Sequence, residues 1–163
     1  MSLVLRAESA PRCTGAHGIG SGVPILVVLA EDHDAMRRSL RRLLDGEDGI
    51  RVVAEANDIA SAAEHVRHHR PHVLVLEMSL TSREHSDGLR QSGLELTVYV
   101  RANSPETQVV LITMQEHGGF ARRALEAGAA GFVRKDLAEA ELPDAVRAAA
   151  RGERYTSGHF SGI

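Results

Sequence analysis

The sequence predicts an α/β fold: a parallel sheet with helices on both faces. Two observations carry this. Short Val/Leu/Ile runs that read as strands buried on both faces alternate with amphipathic helical stretches five times, and Gly or Pro breaks close most of the segments. Right-handed crossovers leave little other choice for such an alternation. At 163 residues the chain holds one domain of ordinary size with tails.

Residues 1–22 hold Ser, Gly, Pro and Thr without apolar periodicity and read as a flexible lead-in. Ile25 to Ala30 is the first strand, ending in Glu31-Asp32. Asp32 or Asp34 is expected to cap a helix striped by Met36, Leu40, Leu43 and Leu44, with Arg37, Arg38, Arg41 and Arg42 facing solvent until Gly46 and Gly49 end it. Ile50 to Ala56 gives a second strand, and Ile59, Ala62, Ala63 and Val66 stripe a second helix that stops before Pro71. The run Pro71-His72-Val73-Leu74-Val75-Leu76-Glu77 is the third strand, and it ends on a carboxylate. Residues 78–92 form a polar loop, long for an α/β unit, before a third helix from Gly93 toward Ala102. Gln108 to Ile112 is the fourth strand and ends on Thr113. Phe120, Ala121, Ala124 and Leu125 stripe a fourth helix that Gly128 stops in a left-handed turn. Gly131 to Val133 is a short fifth strand running into Lys135. The last helix carries Leu142, Val146 and Ala149, with Pro143 requiring a late start or a distorted first turn.

Composition narrows the function. A formal net charge of -3 gives no reason for direct nucleic-acid or anionic-membrane binding, and 3% aromatic residues without Trp exclude a base-stacking platform. The single Cys13 fits a reducing compartment. With no apolar stretch near the length needed to span a bilayer and no secretory h-region, the expected location is cytoplasmic. Of the 19 Lys and Arg residues, Lys135 alone is a lysine, in a chain that otherwise uses arginine.

Four strands end in groups able to do chemistry: Glu31-Asp32, Glu77, Thr113 and Lys135. A parallel sheet gathers such ends on one edge, where open α/β folds collect ligands. Strands must end in something polar, so each position taken singly means little. Together, three carboxylates, a hydroxyl and an ammonium form a hard-oxygen pocket suited to Mg²⁺, with Lys135 and Thr113 able to hold an anion. His65 and His69, i and i+4 on one helix with His68 and His72 nearby, lie off the apolar stripe and lack the further ligands that zinc sites recruit. Glu84 and Asp87 read as a solvated loop, and Gly118-Gly119 has no phosphate-cradle spacing around it.

The strings VVLAEDH, PHVLVLE, GLEL, VVLITM, ALEAGAAGFVRKD and RAAARGERY, in that order over residues 24 to about 156, resemble response regulator receiver domains of the LuxR (NarL-like) type. The resemblance implies a flavodoxin-like (CheY-like) five-stranded sheet of order 2-1-3-4-5. It implies a receiver domain over 23–153 and a tail, 154–163, where such proteins enter a linker to a helix-turn-helix output domain. It also implies a histidine kinase that phosphorylates an Asp after the third strand, Mg²⁺ held by the acidic pair Glu31 and Asp32, phosphate sensing by Thr113 and Lys135, and an aromatic switch at Phe132.

Two departures stand against ordinary phosphorylation. Glu77 occupies the phosphoacceptor position, and one extra methylene moves a carboxylate by more than about 1 Å, which can cost about 10²-fold where in-line geometry is needed. The family's Met-Pro pair is missing from a lengthened 78–92 loop. The sequence therefore points to a pseudo-receiver. In it Glu77 either stands in for a phosphorylated Asp or is salt-bridged to Lys135, with Mg²⁺ binding weak or absent. Partners on this reading are a kinase and a LuxR-type DNA-binding output domain, fused or separate, with homodimerisation open. The alternatives are a small Mg-dependent phosphotransferase or phosphatase using Asp32 or Glu77, and a phosphate-independent interaction module.

Overall fold

The computed structural model describes residues 22–81, 92–114 and 119–157. The lead-in to residue 21, with Cys13, and the positions Glu84, Asp87 and Gly118 lie outside the described residues. Strands β1 (Ile25–Ala30), β2 (Ile50–Ala56), β3 (Val73–Glu77), β4 (Gln108–Thr113), β5 (Gly131–Arg134) and β6 (Tyr155–Thr156) alternate with helices α1 (Asp34–Asp45), α2 (Ile59–His69), α3 (Gly93–Asn103), α4 (Gly119–Glu126) and α5 (Ala138–Ala150). All strand pairs are parallel, in the order β2-β1-β3-β4-β5-β6. The expected order holds, and a sixth strand extends it. Beyond Gly152, whose φ is 76°, the Tyr155 N–H donates to the Ala130 carbonyl at 3.0 Å and the Ser157 N–H to that of Phe132 at 2.8 Å. A two-residue strand carries no hydrophobic period, so nothing in the residue pattern announces it.

Strand alternation builds two cores. Val73 and Val75 of β3 join Val27, Leu29, Val110 and Ile112 beneath α1 and α5, where Leu40, Leu44, Leu142 and Val146 meet them. Leu74 and Leu76 go to the other face with Val28, Val109, Leu111 and Phe132, under Ile59, Val66, Leu96, Val100 and Ala124 from α2, α3 and α4. With both faces covered, the central strands β1 and β3 are apolar along their length up to the carboxylates at their ends, whereas the edge strand β2 carries Arg51 and Glu55.

Helix boundaries bring two corrections. Neither Asp32 nor Asp34 caps α1: His33 does, its Nδ1 accepting from the Met36 N–H at 3.3 Å, because His33 is the residue with extended backbone while Asp34 is already helical. Arg37 does not face solvent. Its side chain is 17% exposed and donates to the Glu31 carbonyl at 2.8 Å. At α5, a 3₁₀ turn over Lys135–Leu137 precedes a helix that starts at Ala138, so Pro143 sits inside it and the carbonyl left without an intrahelical donor is that of Glu139.

Candidate functional site at the carboxyl edge of the sheet

Strands β1 and β3 are hydrogen-bonded neighbours, with Ala30 opposite Leu76 in register, so Glu31 and Glu77 emerge side by side. Both carboxylates are buried. Each has one oxygen tied locally: Glu31 Oε1 accepts from the His33 N–H at 3.0 Å, and Glu77 Oε1 accepts from the Ser79 N–H at 2.9 Å. Each presents its other oxygen to Lys135. The Lys135 Nζ lies 2.6 Å from Glu31 Oε2 and also pairs with Glu77 Oε2. Among the described residues neither Oε2 atom has a further hydrogen-bond partner. Lys135 itself is nearly buried, with its side chain 8% exposed.

Two carboxylates against one ammonium leave one negative charge in excess in a buried site. Burial pushes the Glu31 carboxyl above its usual range, more than the Lys135 contact and the His33 N–H pull it down, and the charge of Glu77 adds to the rise. Burial works against the Lys135 ammonium too, but hydrogen bonds and charge from both glutamates outweigh it and hold its pKa above the ordinary lysine value. The ammonium is thus held charged by two acceptors, while burial opposes the ionisation of Glu31.

Of the residues singled out in the sequence, Glu31, Glu77 and Lys135 are brought together. Thr113 is buried at the end of β4 and lines a neighbouring cavity of about 140 Å³ with Met78, Ser79, Ser92, Leu94, Phe120 and Arg123. Phe132 is fully buried in the core beneath α4, and Asp32 is exposed. Two supporting residues escaped the sequence reading. Arg37 fixes the Glu31 backbone and pairs with Asp34 at 2.6 Å; it was hidden in an arginine-rich stripe. Gly93 opens α3 hard against β3: a Cβ there would lie 2.6 Å from the Glu77 carbonyl oxygen and 2.9 Å from that of Met78. The Ser92-x-x-Glu95 capping box was the available signal, since it puts Gly93 in the first helical turn.

A divalent ion would draw on Glu31, Asp32 and Glu77. The donor set does not fit one. All four oxygens of Glu31 and Glu77 are engaged, by two backbone N–H groups and the ammonium, and Asp32 is exposed. Among the described residues no group of three or more His, Cys, Asp or Glu side chains is placed to hold a metal ion, His65 and His69 included.

The family profile of the response regulator receiver domain matches residues 27–147. The chain belongs to the response regulator receiver family. Its relatives include the response regulator GacA of Pseudomonas viridiflava, 32% identical over 133 residues, which are 82% of this chain and 58% of that protein. The oxygen regulatory protein NreC of Staphylococcus epidermidis is 33% identical over 129 residues, 79% of this chain and 56% of that protein. The chain thus spans little more than half the length of these curated relatives. Among solved structures, a LuxR-family two-component response regulator from an Aurantimonas species superposes with a TM-score of 0.73 at 33% identity, covering 82% of this chain and 90% of the other. The signal receiver domain of NarL from Mycobacterium tuberculosis gives 0.71 at 31% identity, covering 80% and 99%. Receiver domains of this family are signalling modules rather than metabolic enzymes, and they generally bind Mg²⁺ at the phosphorylation site. Among the described residues no helix is long and apolar enough to cross a membrane.

Proposed function

We propose that the chain is the receiver part of a cytoplasmic two-component response regulator whose switch is set by its own sequence rather than by phosphorylation. The receiver domain, expected over residues 23–153, takes in β6 and Ser157 as well, because both are bonded to its sheet and last helix; the partner through which transcription is regulated is a LuxR-type DNA-binding output domain, fused or separate. A histidine kinase is the upstream partner of the family, and here its phosphoryl group has no acceptor in the usual geometry.

One observation carries this reading: Glu77, at the position where the family has its phosphoacceptor Asp, pairs through Oε2 with Lys135. The longer side chain takes its charge to the ammonium that family members use to sense a phosphoryl group. Glu77 therefore supplies permanently a contact that phosphorylation would otherwise create. The buried hydroxyl of Thr113 and the fully buried ring of Phe132 are the switch positions this contact would hold in one arrangement.

The test is incubation of the full chain with Mg²⁺ and acetyl phosphate, then intact-mass and peptide mass spectrometry. The expected result is no phosphoryl adduct on Glu77. A phosphoryl adduct on Glu77 overturns the reading.

A further inference from the structure

We propose that the Lys135 ammonium is the resident cation of the Glu31–Glu77 site, and that a divalent ion enters only when that charge is removed. The inference deepens the set-switch reading, and rests on it for the idea that this chain has no metal-assisted phosphoryl transfer to perform.

The argument begins with donors. Mg²⁺ requires near-octahedral oxygen geometry at about 2.0–2.1 Å and gives up its water reluctantly. To ligate it here, Glu31 and Glu77 can offer only oxygens that already hold a partner, Lys135 on one and a backbone N–H two residues along the chain on the other. The second requirement is charge. An ammonium and a dication cannot share two carboxylates at contact distance without strong mutual repulsion, and the Lys135 side chain, 8% exposed, is held against both of them. Third, the chain spends its one lysine here: a compact ammonium fits between two carboxylate oxygens as a point charge, where a planar guanidinium would need a wider fork.

The converse follows from the same charge count. Replacing Lys135 by an uncharged side chain of similar length leaves two adjacent buried carboxylates with no counter-ion. The pair must then take up a proton or a cation, and a hard divalent ion supplies the missing charge directly.

The experiment uses the full chain and Mn²⁺ as the probe, followed by electron paramagnetic resonance and by the thermal unfolding midpoint. The wild type is expected to show no saturable Mn²⁺ binding through the millimolar range and no rise in midpoint. Lys135→Met is expected to unfold at a lower temperature, to bind Mn²⁺ roughly 10-fold or more tightly than wild type, on the scale by which neighbours tune metal sites, and to regain stability as Mn²⁺ is added. If Lys135→Met is unfolded without metal, Mn²⁺-induced refolding seen by circular dichroism is the supporting result, and failure to refold counts against the proposal. Adding Glu31→Gln to Lys135→Met should abolish the response. Saturable Mn²⁺ binding to the wild type that disappears in Glu31→Gln overturns the proposal, as does a folded Lys135→Met with no gain in binding. Neither outcome touches the set-switch reading, which fails on the phosphoryl adduct instead.

Discussion

Glu31 and Glu77 end adjacent strands with one device, an oxygen on the N–H two residues ahead and an oxygen on Lys135, yet different forces hold the two ends in place. Behind Glu31 stands a side chain, the Arg37 guanidinium on its carbonyl. Behind Glu77 stands backbone, since α3 comes so close at Gly93 that no Cβ fits. One carboxylate is thus positioned by charge and the other by steric fit. The β1 end should respond to pH and charge substitutions, and the β3 end to changes of volume.

The largest expected effect comes from removing what the two ends share. Lys135→Met leaves both carboxylates buried without a counter-charge, and losing one side of a buried ion pair costs about 3–5 kcal/mol. Urea denaturation should show this loss in metal-free buffer. A loss under about 1 kcal/mol would mean that the ammonium is not the common support of the two ends.

Gly93→Ala should come next and act on the β3 end alone. Its Cβ would press on backbone oxygens rather than on the flexible tip of a side chain, so the cost is that of overpacking, about 1–3 kcal/mol. Amide NMR shifts should move at Met78 and Ser79 and stay in place at His33. Gly119→Ala, where a Cβ would meet nothing within 4 Å, is the matched control and should be nearly silent.

The β1 end is better probed with pH. The folded-state pKa of Glu31 is raised above the ordinary value of 4.5, so the folded chain takes up this proton before the unfolded chain does. The stabilisation from that proton is complete below 4.5 and is lost as pH rises through the raised value. The stability of the wild type minus that of Glu31→Gln should therefore increase as pH falls through this window. At the alkaline end Lys135, raised above 10.5, should cost stability as pH climbs through its folded-state value. A difference curve that is flat in acid would show that Glu31 pays no burial cost.

How much of this was legible follows from what each feature is made of. The first five strands and the helices were readable because continuous apolar runs mark the strands and a recurring apolar stripe marks the helices, and β3, with every residue buried, is the plainest case. The convergence of Glu31, Glu77 and Lys135 was readable too, since parallel topology alone brings strand ends to one edge. Contacts decided by local backbone were not. His33 took the cap from two aspartates because of its own φ and ψ, and Arg37 turned inward from a row of four arginines with similar sequence surroundings. The strand β6 is fixed by pairing to β5 and by the Ser157 hydroxyl donating to Glu141, partners distant in sequence that no local pattern reveals.

Asp32 provides the smallest effect and the sharpest check on the comparison. The resemblance pairs it with Glu31 as a metal-binding acid, but Glu31 is fully buried whereas Asp32 is exposed. If the site is complete with Glu31, Glu77 and Lys135, Asp32→Asn removes no contact on which the two strand ends depend. Urea unfolding should then stay within about 0.5 kcal/mol of wild type, as for surface substitutions away from packing, and the wild-type response to Mn²⁺ should not change. Asp32→Asn combined with Lys135→Met extends the check: it should retain most of the Mn²⁺ gain of Lys135→Met, since the two buried glutamates supply the charge. Loss of that gain would place Asp32 among the ligands once the lysine is gone, and the edge would then contain three working carboxylates instead of two.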